Sequence, residues 1–505
     1  MKYARFLTIL LVISVSCYGF SLQEPLRLKS QDEAKLKSLM QILQRRLDQS
    51  RLRANLAGAQ VGFSFVTDGD NPKYVSGSVA SGVIDLQSNV PLKTTDRFLT
   101  GSIGKTFVSA LALLLVQEGR LNLDDKIEKW LGSEAWFSKL PNAKTITFRM
   151  LLNHSSGVEN HVETESFQKQ LLKSSSRNIN HDELVAFILN KKPLFAAGSG
   201  YNYADTNYIL AGMIIEKITS KPLYDSINER LLKPYKLDNT IPADSVTLPN
   251  VVTGYVEGKP VIVAGKFTLN PQWEWAGGGF ASTAEDIARW GAQLYSGDVL
   301  TAASMEQMFS STSTGEGAGY GLGTMITRSK WGRSYGHDGE FPGYLSDMRY
   351  YTKYKLAVSV LVNSDENPAV NAFVVTASDD FAGLIINATA NRQLSQADQN
   401  RMQKFAETWL DLIYSGRFDE SWEQLAESLK TRYAKERWRE VIKSTLEGAG
   451  KLQSRKPKII AYADVEGKTV LVDFETTFSK TTIKSETVTL EVNRDDLKVK
   501  AFSRH

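Results

Sequence analysis

Ser102 and Lys105 stand three residues apart in FLTGSIGKTFVSALALLLVQEGRL (residues 98–121), at the entry to a long apolar run. On a helix that spacing makes them neighbours on one face, within reach of a hydrogen bond. A serine hydroxyl is a poor nucleophile until a base takes its proton, and a lysine held against apolar surface can share that role. Ser102 at a helix N-terminus also offers a backbone N–H to a developing oxyanion. The same letters, GSIGKT, suggest a nucleotide phosphate loop, but the glycine that such a loop needs five positions before Gly104 is Leu99, so the phosphate nest cannot form. The stretch before it, PLKTTDRFLT, is polar where a buried strand is required.

The elements that must position this pair are legible in outline. A chain of 505 residues exceeds what one core usually serves, so two or more domains are expected. Composition is that of an ordinary globular protein, 42% hydrophobic and 23% charged. The first twenty residues place Lys2 and Arg5 before a short apolar run from Phe6 to Val15, which reads as a secretory signal (1–20) and is too short for a membrane span. Without those two residues the formal charge falls from +4 to +2, and nothing points to nucleic acid as a partner. The single cysteine, Cys17, lies in this segment; Ser14 stands where lipoprotein signals usually carry Leu, which argues against lipid attachment there. A secreted or periplasmic location is expected, without disulfides.

Residues 33–50 carry apolar side chains at helical spacing, and AQVGFSFV and KYVSGSVAS alternate as strands. Phe107 to Val116 is apolar on every side, predicting a buried helix that stops at Gly119. The region 122–260 reads as mostly helical, and 333–363 returns to strand character. Residues 391–400 read as a linker between a domain over 21–390 and a small α+β domain over 401–505. The five histidines, at 154, 161, 181, 337 and 505, include no zinc-hydrolase spacing, so no metal or other cofactor is expected. His154 is assigned to scaffold hydrogen bonding, and Gly277 to Gly279 to close backbone packing.

Two further motifs follow in order. Ala197-Gly-Ser-Gly-Tyr-Asn-Tyr203-Ala-Asp205 and His337-Asp338-Gly339 accompany Ser102-x-x-Lys105, with supporting stretches LLNHSSGV and GGGFASTAEDIARW. Together they resemble the serine β-lactamase and penicillin-binding-protein family, in the branch of class C β-lactamases, D-peptidases and related esterases. The resemblance implies an α+β fold: an antiparallel sheet flanked by helices plus a mostly helical subdomain, with the site between them. It implies Ser102 as nucleophile, Lys105 and Tyr203 handling its proton, and the N–H groups of Ser102 and Glu340 as the oxyanion hole. Asp205, His337 and Gly339 fall at substrate-binding positions, Asp205 where the family more often has Asn and Gly104 where small Ala or Ser is commoner. The expected substrate is a small molecule or peptide carrying an amide or ester: a D-amino-acid peptide, a β-lactam or a small ester. The acidic residues near the motifs predict modest β-lactamase activity at most. The alternative is a non-hydrolytic penicillin-binding or sensing protein of the cell envelope. Trp409-Leu410, Gly416 and Ser421-Trp422 resemble an uncharacterised bacterial domain, whose aromatics are expected in its core and whose task is either docking an unknown protein partner or covering the cleft.

Overall fold

A computed structural model describes residues 33–67, 74–173, 180–310, 312–315, 318–364, 368–389, 394–446, 450–462, 468–479, 482–493 and 496–504. The expected signal segment, with Cys17, lies outside the described residues.

The main sheet has eight antiparallel strands: β1 (Gly58–Val66), β2 (Tyr74–Gly82), β3 (Thr312–Gly315), β4 (Ala318–Tyr320), β5 (Met325–Ser329), β6 (Gly332–Phe341), β7 (Tyr344–Tyr351) and β8 (Leu356–Val362). Their spatial order is β3-β4-β5-β6-β7-β8-β1-β2, so the first two strands of the domain close onto its last. Ala59 faces Val362 and Phe65 faces Leu356 across that junction. The sheet is covered on both sides, which is why β8 is buried throughout and reads as a continuous β-branched run.

One face carries the helices Glu33–Ala54 and Pro368–Thr389, which bury Leu39, Leu43, Leu47, Phe381 and Ile385 against the sheet. The second of these, over Ala369–Thr389, is long and apolar enough to cross a membrane, but more than half of it is buried inside the protein. The other face takes the helix Ala284–Ser296, whose first turn comes so close to β1 that a Cβ on Gly62 would stand 2.1 Å from the Ala284 carbonyl oxygen. Beyond it lies the helical subdomain, sharing a core that includes Phe107, Leu111, Leu151, Tyr208, Ile214 and Trp290.

The C-terminal domain packs the helices Gln396–Tyr414 and Lys435–Leu446 on a four-stranded antiparallel sheet. Its core holds Trp409, Trp438, Val472 and Phe474, and the indole N–H groups of Trp409 and Trp438 donate to the Ser421 carbonyl and hydroxyl. The first of these helices begins at Gln396, capped by Ser395, whose hydroxyl accepts from the Asp398 N–H; residues 396–400 of the expected linker are therefore helical, and 391–393 lie outside the described residues. The domain seats on the helix Glu33–Ala54 through an Arg45–Asp473 ion pair and a 2.7 Å bond from Gln49 to Thr487. That helix packs on the sheet with Pro368–Thr389, in a cluster separate from the core that holds Phe107 and Trp290.

Candidate active site

Ser102 lies in a single 3₁₀ turn, Gly101–Gly104, that leads into the helix Lys105–Gln117. The expectation of one continuous helix is corrected by one turn, and the neighbourhood of i and i+3 survives because a 3₁₀ turn also stacks them. The turn is fixed from three sides. Phe98 and Leu99 pair with Ser282 and Ala281, the Thr100 N–H donates to the Phe280 carbonyl, and the Thr100 carbonyl accepts from Ser346 at 2.8 Å.

Three glycines allow the approach. Gly101 has φ +50°, and a Cβ there would meet the Glu340 N at 2.5 Å. A Cβ on Gly278 would lie 2.9 Å from the Ser102 N, and one on Gly339 would lie 2.0 Å from the Thr100 carbonyl oxygen. Backbone touches backbone here, which only glycine permits. The expected packing role of the Gly277–Gly279 run is met at Gly278 and Gly279.

Lys105 is fully buried. Its Nζ donates to Ser102 Oγ at 2.8 Å, to Asp205 Oδ1 at 2.5 Å and to the Gly277 carbonyl oxygen. Three acceptors around one nitrogen are the complement of an ammonium. A buried ammonium is costly unless paired, and Asp205 supplies the countercharge. Asp205, expected to face the substrate, is thus engaged with the lysine in this structure.

Tyr203 precedes Asp205, the first residue of the helix Asp205–Thr219. That helix start is held by the Asp205 N–H donating to Asn160 at 3.0 Å, and by His154, whose Nδ1 accepts from the Ala204 N–H at 3.2 Å. His154 is the scaffold residue expected of it; burial keeps its ring neutral. The Tyr203 ring lies 4.9 Å from Lys105 Nζ and 4.3 Å from the His154 ring centre. Its hydroxyl is buried without a hydrogen bond of normal geometry among the described residues. Burial first, then the Asp205 charge, push its pKa well up, while Ser102 pulls it back. Ser102 is thus near enough to act on the phenol without a formed bond.

Strand β6 runs past the end of β5, which pairs only as far as Gly336. From His337 onward one edge of β6 has no strand partner among the described residues, leaving main-chain groups beside Ser102. Glu340, whose backbone N–H was expected at the oxyanion site, has that nitrogen beside Gly101. His337 is a correction. Its imidazole has no exposed surface; Nε2 pairs with the Tyr320 hydroxyl at 2.8 Å and Nδ1 with the Asp338 carbonyl at 2.5 Å. Burial holds its pKa down to about 4, and in this structure the neutral ring is engaged by Tyr320 and the Asp338 carbonyl.

Two residues that sequence reasoning passed over belong here. The Gly277 carbonyl is a lysine acceptor, and Glu274, three residues before it, is 9% exposed beside the site. The signal available for the second was an acid between two tryptophans, WEW, leading into the glycine run. No group of three or more His, Cys, Asp or Glu able to hold a metal occurs among the described residues.

The arrangement brings a hydroxyl, a lysine amine and a neutral phenol together, with the backbone nitrogens of Ser102 and Glu340 nearby, groups of the kind an acyl transfer uses. Comparison with known proteins agrees. The Beta-lactamase family model matches residues 48–378, and the model for a protein of unknown function (DUF4019) matches residues 405–500. Penicillin-binding protein 4* of Bacillus subtilis is 26% identical over 59% of this chain and 67% of its own; Protein flp of Staphylococcus aureus is 28% identical over 41% of each. Among solved structures, a D-stereospecific amidohydrolase from Streptomyces sp. is 26% identical, covering 67% of this chain and 98% of that one, with a TM-score of 0.58. The D-amino acid amidase from Ochrobactrum anthropi SV3 is 25% identical, covering 70% and 99%, at a TM-score of 0.57. An octameric penicillin-binding protein homologue from Pyrococcus abyssi, at 19% identity and a TM-score of 0.54, shares the fold over 93% of this chain. The chain belongs to the beta-lactamase family of serine hydrolases, joined to a C-terminal DUF4019 domain.

Proposed function

We propose that this chain is an exported amidohydrolase that cleaves small amides or peptides of D-amino acids through an acyl-enzyme on Ser102. The observation that carries the reading is the 2.8 Å contact between Ser102 Oγ and a fully buried Lys105, with the unbonded Tyr203 phenol on the other side. Lys105, once it has shed a proton, takes the Ser102 proton as Oγ attacks the carbonyl carbon. The N–H groups of Ser102 and Glu340 hold the oxyanion. Tyr203, kept neutral by burial, gives its proton to the leaving nitrogen and regains one from Lys105. Water then attacks the ester and returns Ser102 to its resting form. The choice among substrates rests on two supports: the amidase and amidohydrolase among the similar structures, and a local excess of carboxylates that opposes strongly anionic β-lactams.

A second reading has its own observation. Asp205 lies 2.5 Å from Lys105 Nζ and competes with Ser102 for the amine, which suits a slowly acylating penicillin-binding or sensing protein. Labelling separates the two. A fluorophosphonate should attach to the wild type and not to Ser102→Ala, and D-phenylalanine amide should be hydrolysed with loss of ammonia. Permanent labelling by a fluorescent penicillin without amide turnover would favour the sensing reading, and no labelling at all would exclude both.

A further inference from the structure

Glu274 sits in the turn between Trp273 and Trp275, and its carbonyl accepts from the Gly277 N–H at 2.6 Å. The next stretch of that turn carries the Gly277 carbonyl on Lys105 and the Gly278 backbone against Ser102. The main chain of Glu274 is therefore three residues from the carbonyl that accepts from Lys105. It is more than nine-tenths buried, yet no hydrogen bond or ion pair involves its carboxyl among the described residues. Its oxygens are not sealed as the neighbouring Trp273 Nε1 is, and the residue keeps 9% of its surface exposed. A buried carboxyl left without any partner is costly in a fold, and such a group beside a nucleophile is explained if the substrate completes it.

Resting on the amidohydrolase reading, we infer that Glu274 anchors a positively charged nitrogen of the substrate, the free α-amino group next to the scissile carbonyl. The surrounding charges select for that chemistry. Asp205 and Glu340 both act on Glu274, against the single ammonium of Lys105, and Asp205 already neutralises that ammonium. A ligand cation thus enters a region of net negative charge and meets an acid with no other partner. Burial, followed by the Asp205 charge, raises the Glu274 pKa to about 8. At neutral pH the free protein holds a proton there, and arrival of an ammonium expels it to solvent while the carboxylate takes the charge-assisted hydrogen bond. Substrates whose amine is acylated lack the charge and lose the anchor.

The test uses full-length protein. Glu274→Gln keeps the shape and removes the charge. We expect the ratio of kcat/KM for D-phenylalanine amide to that for N-acetyl-D-phenylalanine amide to fall by about tenfold or more, mostly through KM, while fluorophosphonate still labels Ser102 and so reports a folded site. An unchanged ratio would overturn the inference. Binding supplies a second readout that needs no turnover. Titrating D-phenylalanine amide into Ser102→Ala at about pH 6.5, in buffers of different ionisation enthalpy, should release a proton that Ser102→Ala/Glu274→Gln does not release. Absence of binding to Ser102→Ala, or equal proton release by both variants, would also refute the anchor. If the wild type fails to hydrolyse the amide yet proton release depends on Glu274, the anchor stands and the amidohydrolase reading falls.

Discussion

Asp205→Asn should make acylation easier, against the usual outcome of altering a residue in contact with the reactive lysine. Lys105 Nζ donates to Ser102 Oγ at 2.8 Å and to Asp205 Oδ1 at 2.5 Å, so the carboxylate competes with the serine for one amine. Two unit charges about 4 Å apart at an effective dielectric of about 20 attract by about 4 kcal/mol. One fifth of the Asp205 side chain is exposed to solvent, and screening leaves about 1.4 kcal/mol or a little more, which is about tenfold in a rate. Asparagine keeps an oxygen acceptor where the carboxylate was, so the three-acceptor cage survives while the charge is lost. The assay is the second-order rate of fluorophosphonate labelling at about pH 7, with thermal unfolding as a check on folding. The rate should rise about tenfold. An unchanged rate, or a fall in a folded variant, would refute the account of Asp205 as the group that holds the lysine back.

Gly104→Ala restores a side chain common in the family but places a Cβ 2.9 Å from Gly278 backbone atoms and 2.8 Å from the Phe280 ring; it should cost about 1–3 kcal/mol, seen as a lower Tm, because that backbone cannot yield without moving the Ser102 turn. Acidification should remove a stabilising contribution of the buried imidazoles. His161 and His337 are buried and neutral, with pKa values lowered from 6.5 to about 4, so the unfolded chain binds protons that these rings refuse in the native one. The stability they contribute is complete above about pH 6.5 and is lost as pH falls toward 4, so the Tm of the wild type should fall relative to that of His161→Asn across that interval; a constant difference between the two would show that the ring accepts a proton without unfolding.

How far the site could be read from the sequence follows the distance over which each contact is encoded. Ser102 and Lys105 were legible because three-residue spacing forces the contact in either kind of helix, and Tyr203 because the letters around it resemble a known motif. The role of Asp205 was not, since its partner lies 100 positions away and no periodicity links the two. The burial of His337 depends on Tyr320, from a strand whose side-chain packing the local pattern does not report. Glu274 escaped because an acid beside tryptophans reads as an ordinary turn until tertiary structure shows that nothing pairs with it. At 391–400 polarity suggested a linker, although Ser395 and Asp398 at capping distance already carried the start of a helix.

The glycines give a stronger reason than motif matching for regarding this point as the working centre. Gly101, Gly278 and Gly339 come from three separate segments, and at each a Cβ would strike the main chain of another segment. Such contact fixes the backbone beside Ser102 in position, and donors held in place can stabilise a developing oxyanion without reorganising during the reaction. The C-terminal domain docks on the helix Glu33–Ala54, which packs on the sheet with Pro368–Thr389. Under the proposed reading, selection of substrate falls to the groups beside Ser102, where Asp205 pairs with the lysine and Glu274 offers a further carboxyl.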